Sequence, residues 1–441
     1  MESETVSTKQ QRIAKLARIH PEVSFTSLAY HIDLNWLLEA YQQTRKDGAV
    51  GVDRQTAYEY AQDLGKNLRS LLERAKSGSY KAPHVRRVNI PKGKGKETRP
   101  IGVPTFEDKL LQRAVQMVLE PLYEQEFLEC SYGFRPGRSA HDAVRSLWEQ
   151  LTSIGGGWII DLDIRKFFDT MDHACLRGIL KKRVCDGVIL RLIGKWLKAG
   201  VLDKGNVTYP VRGTPQGGVI SPMLSNIYLH KVLDKWFHIV VKPRLKGKAF
   251  LIRYADDAIL GFSCEEDALR VMEVLSKRFG KYGLTIHPEK TRVVRFNKPK
   301  MKHDTGRSDP RRETFDFLGF THYWGLSRKG RWVIKRRTEK SRFSRSLKRV
   351  AEWCKRNRHL ALQVQFEHLQ KKLRGHYAYY GITGNMRSLE NFQYQVRRVW
   401  KKWLNRRSRK RSMTWEKFNQ VLKRYPLSQP KIVHSCYAAK L

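Results

Sequence analysis

Tyr254-Ala255-Asp256-Asp257 sets two carboxylates side by side between the apolar runs Ala249-Phe250-Leu251-Ile252 and Ala258-Ile259-Leu260-Gly261-Phe262. The pattern reads as strand, tight turn, strand. Adjacent carboxylates repel and cost stability unless a cation lies between them. Hard oxygens on a turn suit Mg²⁺ positioned against phosphates. A second acidic pair stands in Trp158-Ile159-Ile160-Asp161-Leu162-Asp163-Ile164. Strand alternation points Trp158, Ile160, Leu162 and Ile164 one way and Ile159, Asp161 and Asp163 the other. Acids are disfavoured in strands and costly to bury, so two on one face call for a cation or the open edge of a cleft. Asp-Asp in a solvated turn is common by itself. The weight therefore falls on whether the remaining segments complete such a site.

Several segments could position these acids. Residues 1–80 read as mostly helical, with a break at Gly48-Ala49-Val50-Gly51-Val52-Asp53. A basic strand, Val85–Ile90, runs into the loop Pro91-Lys92-Gly93-Lys94-Gly95-Lys96-Glu97-Thr98-Arg99-Pro100, whose glycines and cations fit either an anion or a plain hairpin tip. Helical spacing of Leu110, Leu111, Ala114, Val115, Val118, Leu119 and Leu122 predicts a core helix over 107–123. The loop Ser131–Arg138 follows, with Ser139 as N-cap of the next helix. Thr214-Pro215-Gln216-Gly217-Gly218 is a turn whose glycines admit another chain or a ligand, leading into a helix past Pro222. A helix over 268–279, short strands at 284–286 and 293–294 about Pro288-Glu289-Lys290, and a strand and turn at Phe315–Phe320 follow. Residues 298–312 read as surface loop, and the pattern is helical from 338 onward. There Val396, Val399, Trp400, Trp403 and Leu404 share one face, with Arg397, Arg398, Lys401 and Lys402 opposite. That basic face fits a nucleic-acid backbone better than a membrane surface.

Composition points the same way. The 441 residues hold 86 Lys plus Arg against 42 Asp plus Glu, a net charge of +44. The length gives roughly 2–4 domains, and an excess of charge this large calls for a polyanionic partner. Residues 101–157 hold 5 basic and 8 acidic residues, whereas 328–356 hold 13 basic and 2 acidic, and 397–411 hold 9 basic and no acidic. Six scattered cysteines form no C-x₂-C pair, so neither a zinc ribbon nor a redox motif is suggested, and they fit a reducing cytoplasm. The acidic N-terminus is no secretory leader, and no apolar run nears the ~20 residues of a membrane span.

Taken in order, these strings resemble group II intron-encoded reverse transcriptases, or maturases, from about Gly51 to about Gly384. Gly51-Val52-Asp53 resembles the family's N-terminal lid, and Ile90-Pro91-Lys92 with Arg99–Pro104 its fingers motif. Tyr132–Arg138 is similar to the next block, Asp163–Asp169 to polymerase motif A, Gln216-Gly217-Gly218 with Ser221-Pro222 to motif B, and Tyr254–Asp257 to motif C. Pro288–Thr291 resembles motif D, Phe317–Phe320 the primer grip, and Arg374–Gly381 the maturase or thumb segment.

The resemblance implies an α+β right hand with helical and hairpin fingers, an antiparallel palm sheet backed by helices, and an all-helical thumb. Its segments would be 1–80 (N-terminal extension and lid), 81–157 (fingers), 158–325 (palm), 326–405 (thumb) and 406–441 (short basic tail). It implies an RNA-directed DNA polymerase holding two Mg²⁺, which Mn²⁺ can replace, on Asp163, Ile164, Asp256 and Asp257. The three acids would be the catalytic set, Asp257 the less direct member, with Asp161 in support. One ion would activate the primer 3′-hydroxyl and the other would bind the triphosphate. Lys92 and Arg99 would clamp that triphosphate. The fingers loop is one residue longer than the family's usual pattern, so Lys94 is an alternative to Lys92. Phe168 would exclude a 2′-hydroxyl, Gln216 would contact template or nucleotide, and Lys290 would serve as proton donor or simply end a turn. Gly217, Leu318 and Gly319 would meet template and primer; His173 reads as a structural hydrogen-bonding residue. Implied partners are dNTPs, an RNA template with DNA primer, a DNA target and the intron RNA, gripped in part by Arg397, Arg398, Lys401 and Lys402, without a membrane. The chain carries no C-terminal endonuclease pattern, so a primer would come from elsewhere. Two other readings stay open: a splicing maturase with vestigial polymerase, and a polymerase domesticated for defence or repair.

Overall fold

The computed structural model describes residues 5–91, 98–203, 205–209, 212–214, 217–299, 313–407 and 412–435. It divides into two compact units, Met1–Ala143 with Ile160–Val293, and Val144–Ile159 with Val294–Leu441.

The first unit opens with helices α1 (Val6–Ile19), α2 (Leu34–Gln43), α3 (Ala57–Gln62) and α4 (Leu64–Ser77). Local chemistry sets their ends. Thr5 and Asp33 accept from Thr8 N and Trp36 N, and Thr56 with Glu59 completes a capping box. Strands β1 (Val85–Pro91) and β2 (Thr98–Val103) pair antiparallel from Arg86↔Val103 to Pro91↔Thr98. Helix α5 (Phe106–Tyr123) follows, with every core position expected from its spacing buried. Trp36 donates to Ala114 O at 3.0 Å, locking α2 onto it.

In chain order there follow α6 (Ala140–Ser153), most of which belongs to the second unit, β3 (Trp158–Leu162), α7 (Phe167–Thr170), α8 (His173–Leu180), α9 (Gly187–Leu197), β4 (Val201–Asp203), β5 (Asn206–Thr208) and α10 (Ser221–Leu229). Ser139 caps α6 as expected, exchanging bonds with Asp142. Past α10 the helix widens into i→i+5 turns over His230–Asp234 and Trp236–Val241. Strands β6 (Ala249–Tyr254) and β7 (Asp257–Phe262), α11 (Glu265–Gly280) and β8 (Arg292–Arg295) complete the set. One sheet has the order β2-β1-β4-β5 and the other β6-β7-β3-β8. The first is not purely antiparallel, because β1 runs parallel to β4.

In the second unit β9 (Phe315–Phe317), β10 (Phe320–Leu326) and β11 (Trp332–Thr338) form an antiparallel sheet. Helices α12 (Lys340–Arg356), α13 (Leu362–Tyr380), α14 (Met386–Leu404) and α15 (Trp415–Arg424) follow. The stretch 326–405, expected to be all-helical, thus begins with a strand. The run Lys335-Arg336-Arg337 hides it in the sequence, since so polar a stretch does not read as a strand, yet Arg336 is buried on one face with Ile334 and Thr338 while Lys335 and Arg337 alternate with them. The helices close on Val350, Leu373, Tyr377, Phe392, Val396 and Trp400. Residues 406–441, expected as a tail, contribute Phe418 and Leu427 to that core. Among the described residues no helix is long and apolar enough to cross a membrane.

Candidate active site

The β6–β7 hairpin pairs through Tyr254↔Asp257, which leaves Ala255 and Asp256 as a two-residue loop. Ala255 has φ +57°, a conformation costing about 1–2 kcal/mol for a residue with a Cβ. The surroundings hold it there. Arg253 lies fully buried beneath the turn and donates to Ala255 O at 3.0 Å. Its other donors reach both carboxylate oxygens of buried Asp234 (2.8 and 2.6 Å), Asn226 Oδ1 (2.9 Å) and Ser131 Oγ (2.7 Å). Alongside, Arg253 N donates to Cys130 O and Tyr132 N to Arg253 O, so the loop 130–133 covers the open edge of β6.

Asn226 then donates to Gly133 O at 2.7 Å, and a Cβ on Gly133 would stand 2.4 Å from Ala255 N. Only glycine lets that loop lie so close to the turn. Gly133→Ala is expected to cost about 1–3 kcal/mol through overpacking, read as a lower melting temperature. An unchanged melt would mean the loop does not brace the turn. Arg253, Asp234 and Asn226 are functional supports that no sequence motif marked, whereas Gly133 lies in the Tyr132–Arg138 block. The available signal was a single arginine inside an otherwise apolar strand, a position no cation takes without a buried partner.

Asp163 stands just past β3, held through its backbone. His287 N donates to its carbonyl at 2.8 Å, and Thr291 Oγ1 both donates to that carbonyl (3.2 Å) and accepts from Asp163 N (3.1 Å). Ile164 forms an antiparallel bridge with Ile286. The expected alternation appears at the end of the strand, where Leu162 and Ile164 are buried and Asp161 and Asp163 half-buried, but not at its start, where Ile159 is buried and Trp158 half-buried. Lys290 Nζ lies 3.3 Å from Asp163 Oδ2. Asp161 instead faces Arg292 at 3.9 Å, a partly exposed pair worth little.

Asp256, half-buried in its turn, is raised above the ordinary carboxyl range. Burial is the main cause and the charge of Asp163 adds to it, while Arg99 and Arg253 act in the opposite sense. Acids 93 positions apart in sequence thus feel one another, and the exposed Arg99 at the start of β2 joins them. Asp257 opens β7 and is exposed. Among the described residues no three His, Cys, Asp or Glu side chains cluster as a metal cage. Asp163 and Asp256 nevertheless offer hard oxygen donors, the charge of Asp163 helps to raise Asp256, and Ile164 of the expected set has only its backbone carbonyl to offer. That donor chemistry fits Mg²⁺.

Phe168 follows Lys166, whose φ is +47°, and its ring meets buried Phe167 edge-on at 5.4 Å. It lines a cavity of about 230 Å³ with Asp169, Gly102, Arg87, Tyr209 and Arg212. The segment is tied down by Thr214 N to Phe168 O and Gly213 N to Met171 O, both 2.7 Å, and by His173 against the Gly213 carbonyl. His173 thus takes the structural place expected of it. A Cβ on Gly217 (φ +125°) would stand 2.5 Å from Gly102 O, so the close approach at this glycine is made by β2. Lys92, Lys94 and Gln216 lie outside the described residues.

In the second unit Leu318 (φ +49°) and Gly319 (φ +79°) form the two-residue turn between β9 and β10, a hairpin type that demands positive φ at both positions. Tyr379 donates to Leu318 O at 2.9 Å, seating the turn on α13. On α14, Val396, Trp400 and Leu404 are buried; Arg398 and Lys402 are exposed, and Arg397 and Lys401 half-buried. Lys401 sits over Trp415 at 4.9 Å and Arg398 over Tyr394 at 5.7 Å.

Comparison with known proteins adds an independent finding. A family model described as reverse transcriptase (RNA-dependent DNA polymerase) matches residues 90–322, just over half of the chain. Protein YkfC of Escherichia coli (strain K12) is 34% identical over 327 residues, 66% of this chain and 85% of that protein. Group II intron-encoded protein LtrA of Lactococcus lactis subsp. cremoris is 36% identical over 230 residues, 51% of this chain but 37% of LtrA. Nuclear intron maturase 1, mitochondrial, of Arabidopsis thaliana is 33% identical over 109 residues, 25% of this chain and 15% of that protein.

Proposed function

The chain belongs to the reverse transcriptase family, with group II intron-encoded proteins and maturases among its relatives, and on that footing we propose that it adds dNTPs to a primer 3′-hydroxyl on an RNA template and grips intron RNA to assist splicing and mobility. Reverse transcriptases generally use divalent cations such as Mg²⁺, and group II intron proteins bind intron RNA and nucleic-acid substrates. In this reading residues 81–157 act as fingers, 158–325 as palm and 326–405 as thumb.

The observation that carries the proposal is that β3, which Asp163 directly follows, is the sheet neighbour of β7, which Asp256 directly precedes, with the charge of Asp163 among the causes that raise the Asp256 carboxyl. Asp163, Asp256 and the Ile164 carbonyl would hold the ions, with Asp257 beside them. When bound, those ions neutralise triphosphate charge and favour the ionised 3′-hydroxyl. The remaining roles belong to side chains. Arg99 stabilises negative charge on the triphosphate. Lys290, 3.3 Å from Asp163 Oδ2, balances that carboxylate and would protonate the departing pyrophosphate. Phe168, packed edge-on against Phe167 and lining the cavity of about 230 Å³, would be the wall that excludes a 2′-hydroxyl. Arg397, Arg398, Lys401 and Lys402 would contact RNA phosphates.

The test is extension of a DNA primer on an RNA template with dNTPs and Mg²⁺. No extension by folded, RNA-binding protein would leave a splicing maturase with a vestigial polymerase as the reading. Phe168→Ala is expected to open the wall and narrow the preference for dNTPs over NTPs by about 10–200-fold, the range for steric fit in a pocket. Competition between the two nucleotide pools measures it; an unchanged preference removes Phe168 from selection.

A further inference from the structure

Away from the acids, α8, α9 and the residues entering β1 line an open cleft of about 640 Å³, within the size range of ligand pockets. Lys81, Arg177, Arg191, Lys195 and Lys198 line it, and its described lining includes no Asp or Glu. Lys195 donates to Gly78 O at 2.7 Å and to Tyr80 O, which fixes its ammonium at the wall. Lys81, Arg177, Arg191 and Lys198 are exposed. Tyr209, 67% exposed, stands at the rim with its ring 5.8 Å from that of His84.

A second pocket of about 240 Å³ adjoins the first, sharing Arg177, Leu190, Gly194 and Lys198, and its floor is Leu180, Ile193 and Leu197. Gly194 lies inside α9 between the two. Glycine destabilises a helix interior relative to alanine, yet nothing lies within 4 Å of where a Cβ would stand. The helix backbone is thus left open to the cleft at this point, as a ligand crossing it would require.

We propose that this double pocket binds an unpaired stretch of nucleic acid, its phosphates on Arg177, Arg191 and Lys198 and one extruded base in the apolar pocket. Cations with no acidic partner among the described residues match a phosphodiester chain. An apolar pocket beside them matches a flat base freed from stacking, which a duplex does not offer. The inference concerns binding alone and stands apart from the polymerase reading.

The full chain carries many other cations, so total affinity is a poor readout. Fluorescence anisotropy with a single-stranded RNA of about ten nucleotides, within the usual single-strand site size, is read instead as a salt series. The variant Arg177→Gln/Arg191→Gln/Lys198→Gln is expected to flatten the slope of log K against log salt by about 2, three phosphates at ~0.7 each. Gly194→Leu fills the junction and is expected to weaken single-strand binding several-fold, leave a duplex of equal length unaffected, and abolish 4-thiouridine cross-links to α8 and α9 without lowering the melting temperature. Parallel single-stranded DNA identifies the strand: a loss confined to one sugar, or shared by both, agrees with the proposal. An unchanged salt slope, an equal effect on duplex, or displacement by polyglutamate as effective as by RNA overturns it. Should Gly194→Leu misfold, the triple glutamine variant, which alters only exposed side chains, still decides.

Discussion

Asp256→Asn is expected to lower primer extension by at least about 10³-fold while leaving RNA affinity nearly intact and the fold more stable at neutral pH. The rate effect follows from removing an anionic ligand whose cation supplies several kcal/mol of charge stabilisation. The stability effect follows from the carboxyl's surroundings. Burial, then the charge of Asp163, raises Asp256 above its unfolded value of 3.8. The native state therefore holds this proton more tightly than the unfolded chain does. Below the unfolded value both states are protonated and the acid costs nothing. As pH rises through the folded value the native state must carry an unwelcome charge, and that share of stability is lost. Asparagine avoids the loss, so the difference in melting temperature between variant and wild type should be small in acid and positive at neutral pH. Mg²⁺ should raise the melting temperature of the wild type more than that of the variant, since a cation bound to the native state stabilises by mass action. Extension by Asp256→Asn at a rate near the wild type's would end the enzymatic account. Loss of RNA affinity in parallel with activity would make the acid structural.

Breaking the Arg253–Asp234 pair should produce the largest loss of stability. Both side chains are fully buried. Burial pushes the Asp234 carboxyl up, but the charge and hydrogen bonds of Arg253, aided by His230, outweigh it and hold the group below the usual range. Asp234→Ala or Arg253→Leu strands one charge in the interior, at about 3–5 kcal/mol. Because the Asp234 carboxyl is depressed, the stability it lends is present at neutral pH and disappears only as pH falls below 3.8 toward the folded value.

The informative variant is the double one, Arg253→Met/Asp234→Leu. A well-packed apolar pair can replace a buried ion pair at little or no cost in stability, so the double variant should melt far above either single one. Its polymerase activity should stay reduced by about 10²-fold, because Ala255 O and Asn226 lose the donor that sets the turn, and a displacement near 1 Å suffices for that. Wild-type extension by a stable double variant would confine Arg253 to a purely structural role.

The amino-acid order by itself determined the local elements and the identity of the reacting groups. Period-two alternation marked the strand ahead of Asp163, apolar runs about a short polar break marked the Asp256 turn, and 3.6-residue spacing marked α5 and α14. These signals are legible because each depends on neighbours within a few positions. The basic strand β11 and the short hairpin β4–β5 were illegible for the complementary reason: their propensities are weak and pairing alone makes them strands. Only the tertiary structure decided that Asp163 and Asp256 share one electrostatic environment, that Arg253 rather than a glycine supports positive φ at Ala255, and that the space beside Gly217 belongs to Gly102. Repulsion between distant acids, desolvation of an arginine and close approach of two backbones depend on separation in space, and for residues far apart in sequence that separation exists only once the chain has folded.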